Sequence, residues 1–554
     1  MQQSSSFRPP FDPAQWSLDR VLEWRVRLTP DAPFLVVGDE APIGFAAHAA
    51  RVAGLARTLR DAGLNRGDRI ALLAGNSTDH IAVWFAANLL GAADAPINPS
   101  FSGRTLEQAL ALVDARMIVA DASLLHVLAR CSLQSLNLQR VFWVGTDPET
   151  VPDFGPIICE RLVETVGGDD IAASLSPGDI ASILSTSGTT GPSKGVMVTH
   201  AQAYLTALQT VEGLWVESSD VYYCAHPLFH MSPRFCAIYA ALLTGATVHL
   251  DARFIASRWI DRIRQTGATV TIGHGPLLEM IHAEPERADD ADTKLTRIGT
   301  SPFPKHIAHD FERRFGVKGI ETWGMTEINI PCWHPKDEPL RPGSCGKIRE
   351  EWYEFQVVDP QTDAEVPFGT VGEFVVRPKL PWIVSPGYFC NAEATLRAWR
   401  NLWFHTGDSG YRDAEGWVWF VDRLGDRIRR RAENISSYDI EAVANAHPSV
   451  QESAAIGVPS EFASDDDIKL CVLCRAGAVH DPFDLLAHLA RELPHHMVPR
   501  YIEYFGEMPR TATQKIRKSA LRATGLTDTT WDRKAAGVDL RALVEQQTKA
   551  RYGR

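Results

Sequence analysis

The chain has 554 residues, with 56 Lys+Arg against 68 Asp+Glu for a formal net charge of −12, and it is 45% hydrophobic and 22% charged. That length exceeds one ordinary core and predicts roughly three or four folding units of globular composition. The acidic balance excludes nucleic acid or an anionic membrane surface as the main partner, so any anionic substrate must be met by local positive charge. The first residues, Met1 to Pro10, contain no apolar signal region. The longest mostly apolar runs, Ile81–Leu90 and Phe235–Leu250, fall short of the 18 to 20 residues a spanning helix needs. They read as buried, partly helical core. Nine scattered cysteines predict a reducing, cytoplasmic setting; Cys471 and Cys474 read as buried strand residues, since no second pair completes a zinc set.

In chain order, helices are predicted over 45–62, 81–90 and 106–113 and strands over 69–74, 93–97 and 117–119. This rhythm implies a parallel sheet wrapped by helices. A strand at 180–184 and a second at 195–199 flank a polar loop, with Thr199 as N-cap of a helix over 201–211. Alternation resumes from 201 to 320. Short, turn-bounded strands at 346–358, 372–377, 405–408 and 417–421 then suggest a small β-rich section. From 426 a compact α+β unit follows: helices over 437–446 and 481–493, strands over 451–457, 469–475 and 501–505.

The polar loop is the most informative stretch. Ser185-Thr186-Ser187-Gly188-Thr189-Thr190-Gly191-Pro192-Ser193-Lys194-Gly195 packs six hydroxyls, three glycines and one lysine into eleven residues. Glycine lets backbone N–H groups approach an anion, the hydroxyls add donors, and the lysine adds charge, so the loop suits a polyphosphate. It is not a Walker A loop, because Pro192 and Ser193 separate Gly191 from Lys194 and no helix opens directly after it. Four later motifs follow in order: Glu321-Thr322-Trp323-Gly324-Met325-Thr326-Glu327; Trp403 to Asp408; Val421 to Ser436; and Pro509 to Lys518. Together the five resemble the acyl-adenylate-forming superfamily over about residues 20–525, and within it the acyl-CoA ligases that include carnitine/crotonobetaine-CoA ligase.

The resemblance implies an α/β plus α+β fold: a large N-terminal domain of layered α/β subdomains with a small β-barrel (1–424), a small mobile C-terminal α+β domain (425–540) and a polar tail (541–554). It implies an ATP-dependent carboxylic acid–CoA ligase, with ATP, Mg²⁺ and coenzyme A as its small molecules, no nucleic acid, no integral membrane segment, and a homodimer admitted. Thr186, Ser187, Gly188, Thr189, Thr190 and Lys194 would hold phosphates. Glu327 would ligate Mg²⁺, and Trp323, where most relatives carry Tyr, would stack on adenine with Thr300, Gly324 and Thr326 nearby. Asp408 and Arg423 would take the ribose. Lys515 would stand between the carboxylate and the α-phosphate, and His230 would face the acid. Phe229, Met231, Phe235, Pro276 and Pro302 suggest a partly apolar acyl pocket. Gly425 is the implied hinge, and Arg431, Ala432 and Glu433 lie at the implied CoA tunnel, with Arg429 and Arg430 as further contacts for CoA phosphates.

This chain departs from the family pattern at Gly425 (commonly Asp or Lys), Ala432 and Gln514 (both commonly Gly), and Thr300-Ser301-Pro302 (commonly Gly-Ala-Pro). On the residues alone, a stand-alone adenylating enzyme that loads a separate carrier protein stays open. So does a nucleotide-binding relative without catalysis.

Overall fold

The computed structural model describes the chain except for residues 1–8, 168–173, 187–192, 306, 424–427, 431–432, 436, 463–464, 510–515, 517, 541–542 and 544–554. Seven strands form a first sheet in the order Ile158–Arg161, Arg140–Val144, Met117–Asp121, Arg69–Leu73, Ala93–Pro96, Ile180–Thr186, Lys194–Thr199. Its neighbours run parallel until the last pair, which is antiparallel. The predicted strands and the hairpin carrying the polar loop are therefore present. Thr199 caps the helix His200–Gly213 by accepting from the Gln202 N–H.

A second sheet of thirteen strands has a parallel block at its centre: Thr247–Leu250, Val221–Cys224, Val270–Gly273, Arg297–Thr300 and Lys318–Met325. The β-rich section is continuous with this block rather than detached from it. Lys318–Met325 pairs in parallel with Arg297–Thr300 on one edge and antiparallel with Asn329–Trp333 on the other. From there the ladder runs on through Ser344–Ile348, Trp417–Arg423, Phe404–Arg412, Gly372–Pro378 and Tyr353–Val358. The single strand expected over 346–358 breaks in two, because residues 349–352 form a turn in which the Trp352 N–H donates to the Arg349 carbonyl at 3.0 Å. The C-terminal unit has a four-stranded sheet in the order Val450–Pro459, Asp466–Cys474, Tyr501–Phe505, Trp531–Asp532, and a hairpin of Ile428–Arg430 with Glu433–Ile435. Its helix Pro482–Glu492 lies against the helix Gly103–Val113, where the Thr105 hydroxyl donates to the Glu492 carbonyl at 2.9 Å.

Two helices fill the space around the sheets. Thr78–Leu89 is buried from His80 to Asn88, and His200–Gly213 is buried along almost its whole length. A helix buried on every side must be apolar all round or have its polar groups paired. Gly213 ends the second helix against Trp333, whose Cε3 would lie 2.2 Å from an added Cβ. The apolar run 235–250 is a π-helical turn (Ser232–Tyr239), a short helix (Ala240–Thr244) and a strand (Thr247–Leu250), separated by Gly245 at φ +87°. The π turn carries Arg234, fully buried, which donates to both Asp94 carboxylate oxygens (2.7 and 2.6 Å) while Ser182 donates to Asp94 at 2.6 Å. This pair ties both layers to the strand that leads into the polar loop.

Four imidazoles are held neutral inside the fold. Burial pushes His48 and His80 down to about 3, and His200 and His226 down to about 4. His48 sits edge-on between Phe34 (5.3 Å) and Phe85 (5.1 Å). The unfolded chain takes up these protons near the ordinary histidine value while the folded chain refuses them. Their contribution to stability is therefore full above about pH 6.5 and is lost as pH falls toward their folded values. Thermal melts between pH 7 and pH 5 should show a declining midpoint, and His48→Leu should make that decline shallower. An unchanged slope would mean that His48 is protonated in the fold.

Candidate active site

The polar loop closes a hairpin whose last register pairs are Ser185 with Gly195 and Thr186 with Lys194. Thr186 and Lys194 are half-buried at its base; Ser187, Gly188, Thr189 and Thr190 lie outside the described residues. The Lys194 ammonium sits 4.7 Å over the centre of the Tyr388 ring. Burial lowers its pKa, the Glu327 carboxylate opposes that shift, and Arg397 adds to it.

Glu327 is buried at 6% exposure and accepts a 3.0 Å hydrogen bond from the Tyr388 hydroxyl. It rides on the turn between Lys318–Met325 and Asn329–Trp333. Asn329 takes φ +65°, a left-handed conformation that Asn tolerates better than most residues. Its side-chain amide donates to the Ile383 carbonyl (2.7 Å) and the Tyr353 hydroxyl (3.1 Å). From the buried helix, the Gln202 amide donates to the Thr326 carbonyl at 2.8 Å, and the Ser385 N–H donates to the Glu327 carbonyl at 2.8 Å. The carboxylate therefore stands on a turn fixed from three directions by uncharged groups.

Trp323 and Asp408 form a second pair. The indole N–H donates to Asp408 Oδ2 at 2.9 Å, and Asp408 is 1% exposed. Asp408 lies directly opposite Arg423 in the strand pairing, which brings their backbones together; the Arg423 side chain lies outside the described residues. Trp323, the expected adenine platform, is 5% exposed and packs in the core, edge-on to Phe374 at 5.2 Å and near Phe355 at 6.2 Å, while its nitrogen holds Asp408. Tyr, the family's usual residue here, has no indole N–H with which to do this. Gly324 also has a structural reason: a Cβ there would lie 2.0 Å from the Asn329 carbonyl oxygen. Thr300 is buried, and its hydroxyl donates to the Pro302 carbonyl at 2.8 Å. Thr326 is half-buried beside Glu327.

On the acid side, His230 is half-buried, its ring 4.4 Å from that of Phe229. His226, which the motif does not pick out, is in hydrogen-bonding distance of His274 (Nε2 to Nδ1, 3.2 Å). Burial and the neighbouring His230 keep it neutral at about 4. Asn76 holds this loop by donating to the His226 and Asp251 carbonyls (both 2.9 Å) and accepting from the Leu228 N–H at 2.8 Å. Phe229, Met231 and Pro302 are half-buried. Phe235 is 1% exposed and packs on Trp84 at 5.8 Å, and the Pro276 side chain lies outside the described residues. In the C-terminal unit Lys515, Gly425, Arg431 and Ala432 lie outside the described residues. Glu433 is placed only by its strand Glu433–Ile435, and the Arg429 side chain is likewise not described. Arg430 is no surface contact for CoA: it is 6% exposed, donates to the Val498 carbonyl at 3.2 Å and faces Asp467 at 3.6 Å.

The family model for AMP-binding enzymes matches residues 22–389, and that for the AMP-binding enzyme C-terminal domain matches residues 439–515. The chain belongs to the AMP-binding enzyme family. A crotonobetaine/carnitine–CoA ligase from Salmonella agona (strain SL483) is 28% identical over 470 residues, covering 83% of this chain and 89% of the relative. One from Escherichia fergusonii is 29% identical over 482 residues, covering 85% and 91%. Among solved structures, a double mutant of o-succinylbenzoate CoA synthetase from Bacillus subtilis superposes with a TM-score of 0.77 at 23% identity, covering 91% of this chain and 98% of that one. The amide bond synthetase McbA from Marinactinospora thermotolerans gives 0.76 at 24%, covering 91% and 99%. The fold of this family, a large N-terminal α/β part with mixed sheets and a smaller C-terminal part with a small sheet, is the one described above. The chain is accordingly an adenylate-forming enzyme of the ligase class. No helix among the described residues is long and apolar enough to cross a membrane.

Loss of a buried hydrogen bond to a charged acceptor costs about 1.5–3 kcal/mol of stability. Trp323→Phe should therefore lower the melting temperature, and the free energy of unfolding by about that amount. An unchanged unfolding free energy would show that the indole does not hold Asp408.

Proposed function

We propose that this protein activates a small-molecule carboxylic acid with ATP and transfers the acyl group to coenzyme A. A carboxylate oxygen attacks the α-phosphorus and the bond to pyrophosphate breaks. The thiol sulfur then attacks the acyl carbon of the adenylate, the acyl–oxygen bond breaks, and AMP leaves with that oxygen. The observation that supports this most directly is that Tyr388 brings a cation, Lys194, and a buried carboxylate, Glu327, together at the base of a loop rich in phosphate-binding groups. The CoA-ligase names of the relatives favour CoA as acceptor.

Chemistry of this kind depends on positioning and charge neutralisation. Lys194, with Thr186 and the loop hydroxyls, would hold the β- and γ-phosphates. Asp408 and Arg423 would hold the ribose, and His230 would face the acid. No group of three or more potential metal ligands occurs among the described residues. A single buried carboxylate fits the habit of Mg²⁺, which is usually bound by one or two carboxylates together with substrate phosphates. Glu327 would hold that ion, whose contribution when bound is to neutralise phosphate charge. Lys515 would supply the cation beside the α-phosphate, and rotation about Gly425 would bring residues 429–434 to the thiol. The half-buried Phe229, Met231 and Pro302 beside imidazoles suit a small or medium aliphatic or aromatic acid.

A hydroxamate-trapping screen over carboxylic acids should find an acid that consumes ATP and gives AMP and pyrophosphate. With it, Lys515→Ala should lose ATP-dependent turnover yet still convert pre-made acyl-adenylate and CoA to thioester. Equal loss of both reactions would contradict the division of roles. ATP-dependent hydroxamate formation without any use of free CoA would assign the acyl acceptor to a carrier protein.

A further inference from the structure

We infer that Tyr388 is a positioning residue for nucleotide binding, setting both the Glu327 carboxylate and the Lys194 ammonium through one side chain. The inference rests on the nucleotide reading above and adds to it a residue outside the five motifs. Tyr388 is 8% exposed, and its two contacts are of different kinds: its hydroxyl donates to Glu327 Oε1 at 3.0 Å, and its ring face carries the Lys194 ammonium at 4.7 Å.

The side chain can do this because its backbone is fixed. Residues 385–389 run along the strand Lys194–Thr199 as an extra antiparallel partner. The Met197 N–H donates to the Gly387 carbonyl at 3.1 Å, the Phe389 N–H donates to the Gly195 carbonyl at 2.8 Å, and Val196 and Tyr388 form a β-bridge. Gly387, at φ +144°, leaves no room for a side chain: a Cβ would lie 2.5 Å from Thr395 Cγ2. The Tyr388 N–H donates to the Thr395 hydroxyl at 3.0 Å, and the Ser385 hydroxyl bridges back to Gly387. The Ser385 N–H meanwhile holds the Glu327 carbonyl, so the same five residues grip the hairpin and the acidic turn together.

The two contacts serve opposite charges. A phenol donating to Oε1 fixes the rotation of the carboxylate. An aromatic face attracts an ammonium without neutralising it, so the ring orients Lys194 and leaves its N–H donors for an anion. A carboxylate in the same place would cancel that charge. The two halves are separable by substitution. Phe keeps the ring and drops the hydroxyl, while Leu drops both.

The test is equilibrium ATP binding by calorimetry, in EDTA and across a Mg²⁺ titration, for the wild type, Tyr388→Phe and Tyr388→Leu, with melting temperatures measured alongside. Tyr388→Phe should bind metal-free ATP within about twofold of the wild type but need about tenfold more Mg²⁺ to reach its tight-binding state. Tyr388→Leu should show the same Mg²⁺ shift and also bind metal-free ATP several-fold more weakly. An unshifted Mg²⁺ midpoint in Tyr388→Phe overturns the role at Glu327. Equal metal-free affinity of the Phe and Leu variants overturns the role at Lys194. If the Leu variant does not fold, Tyr388→Ile is used for that comparison. A wild type that binds no ATP under either condition overturns the nucleotide reading itself, an outcome distinct from normal wild-type binding with unaffected variants.

Discussion

A carboxyl group at 6% exposure is tolerated only where its surroundings replace the water it has lost, and Glu327 is in that position. Much of the surrounding structure answers this constraint. The Tyr388 phenol donates to the side chain, Gln202 and Ser385 fix the turn backbone on either side, and Asn329 adopts a left-handed conformation to close it. These partners come from a buried helix, a loop packed on the polar hairpin and the turn itself. Each is uncharged, so the local field is left for Lys194 and for whatever charged ligand enters.

The Trp323–Asp408 pair follows the same logic on the strand that leads into this turn. Both residues lie in the core, joined by one charge-assisted hydrogen bond. The continuous second sheet makes this possible, because Trp323 and Asp408 sit on strands of one hydrogen-bonded ladder and not in separate bodies. In the first sheet, the Asp94–Arg234 pair, with Ser182 donating to Asp94, pins the π-helical turn Ser232–Tyr239 to the strand that leads into the polar loop. The His230 segment and the polar loop are thus tied together through buried polar contacts.

Much of this was legible from local sequence. Hydrophobic periodicity placed the parallel strands, the Thr199 cap and the hairpin around the Ser/Thr/Gly loop, because those depend on neighbours within a few residues. Tyr388 was not legible. Its partners are 61 and 194 positions away in the chain, and only the Ser385-Pro386-Gly387 turn signal stood beside it. The resemblance offered Arg430 as a contact for CoA phosphates, yet its strand turns it inward to Asp467 and the Val498 carbonyl. The bond from Trp323 to Asp408 was not legible either, since its two ends are 85 positions apart in the chain and nothing local shows what the indole nitrogen faces. The junction of the β-rich section with the parallel block depends on strand pairing, which no local propensity encodes.

The central claim is that a carboxyl group is joined to AMP, and oxygen transfer tests it most directly. An accepted acid labelled with ¹⁸O in its carboxyl group should be turned over with ATP and CoA, and the nucleotide product analysed by mass spectrometry. The account predicts AMP carrying one ¹⁸O atom, the oxygen that bridged acyl carbon and phosphorus. Unlabelled AMP, or ADP and phosphate in place of AMP and pyrophosphate, would contradict it.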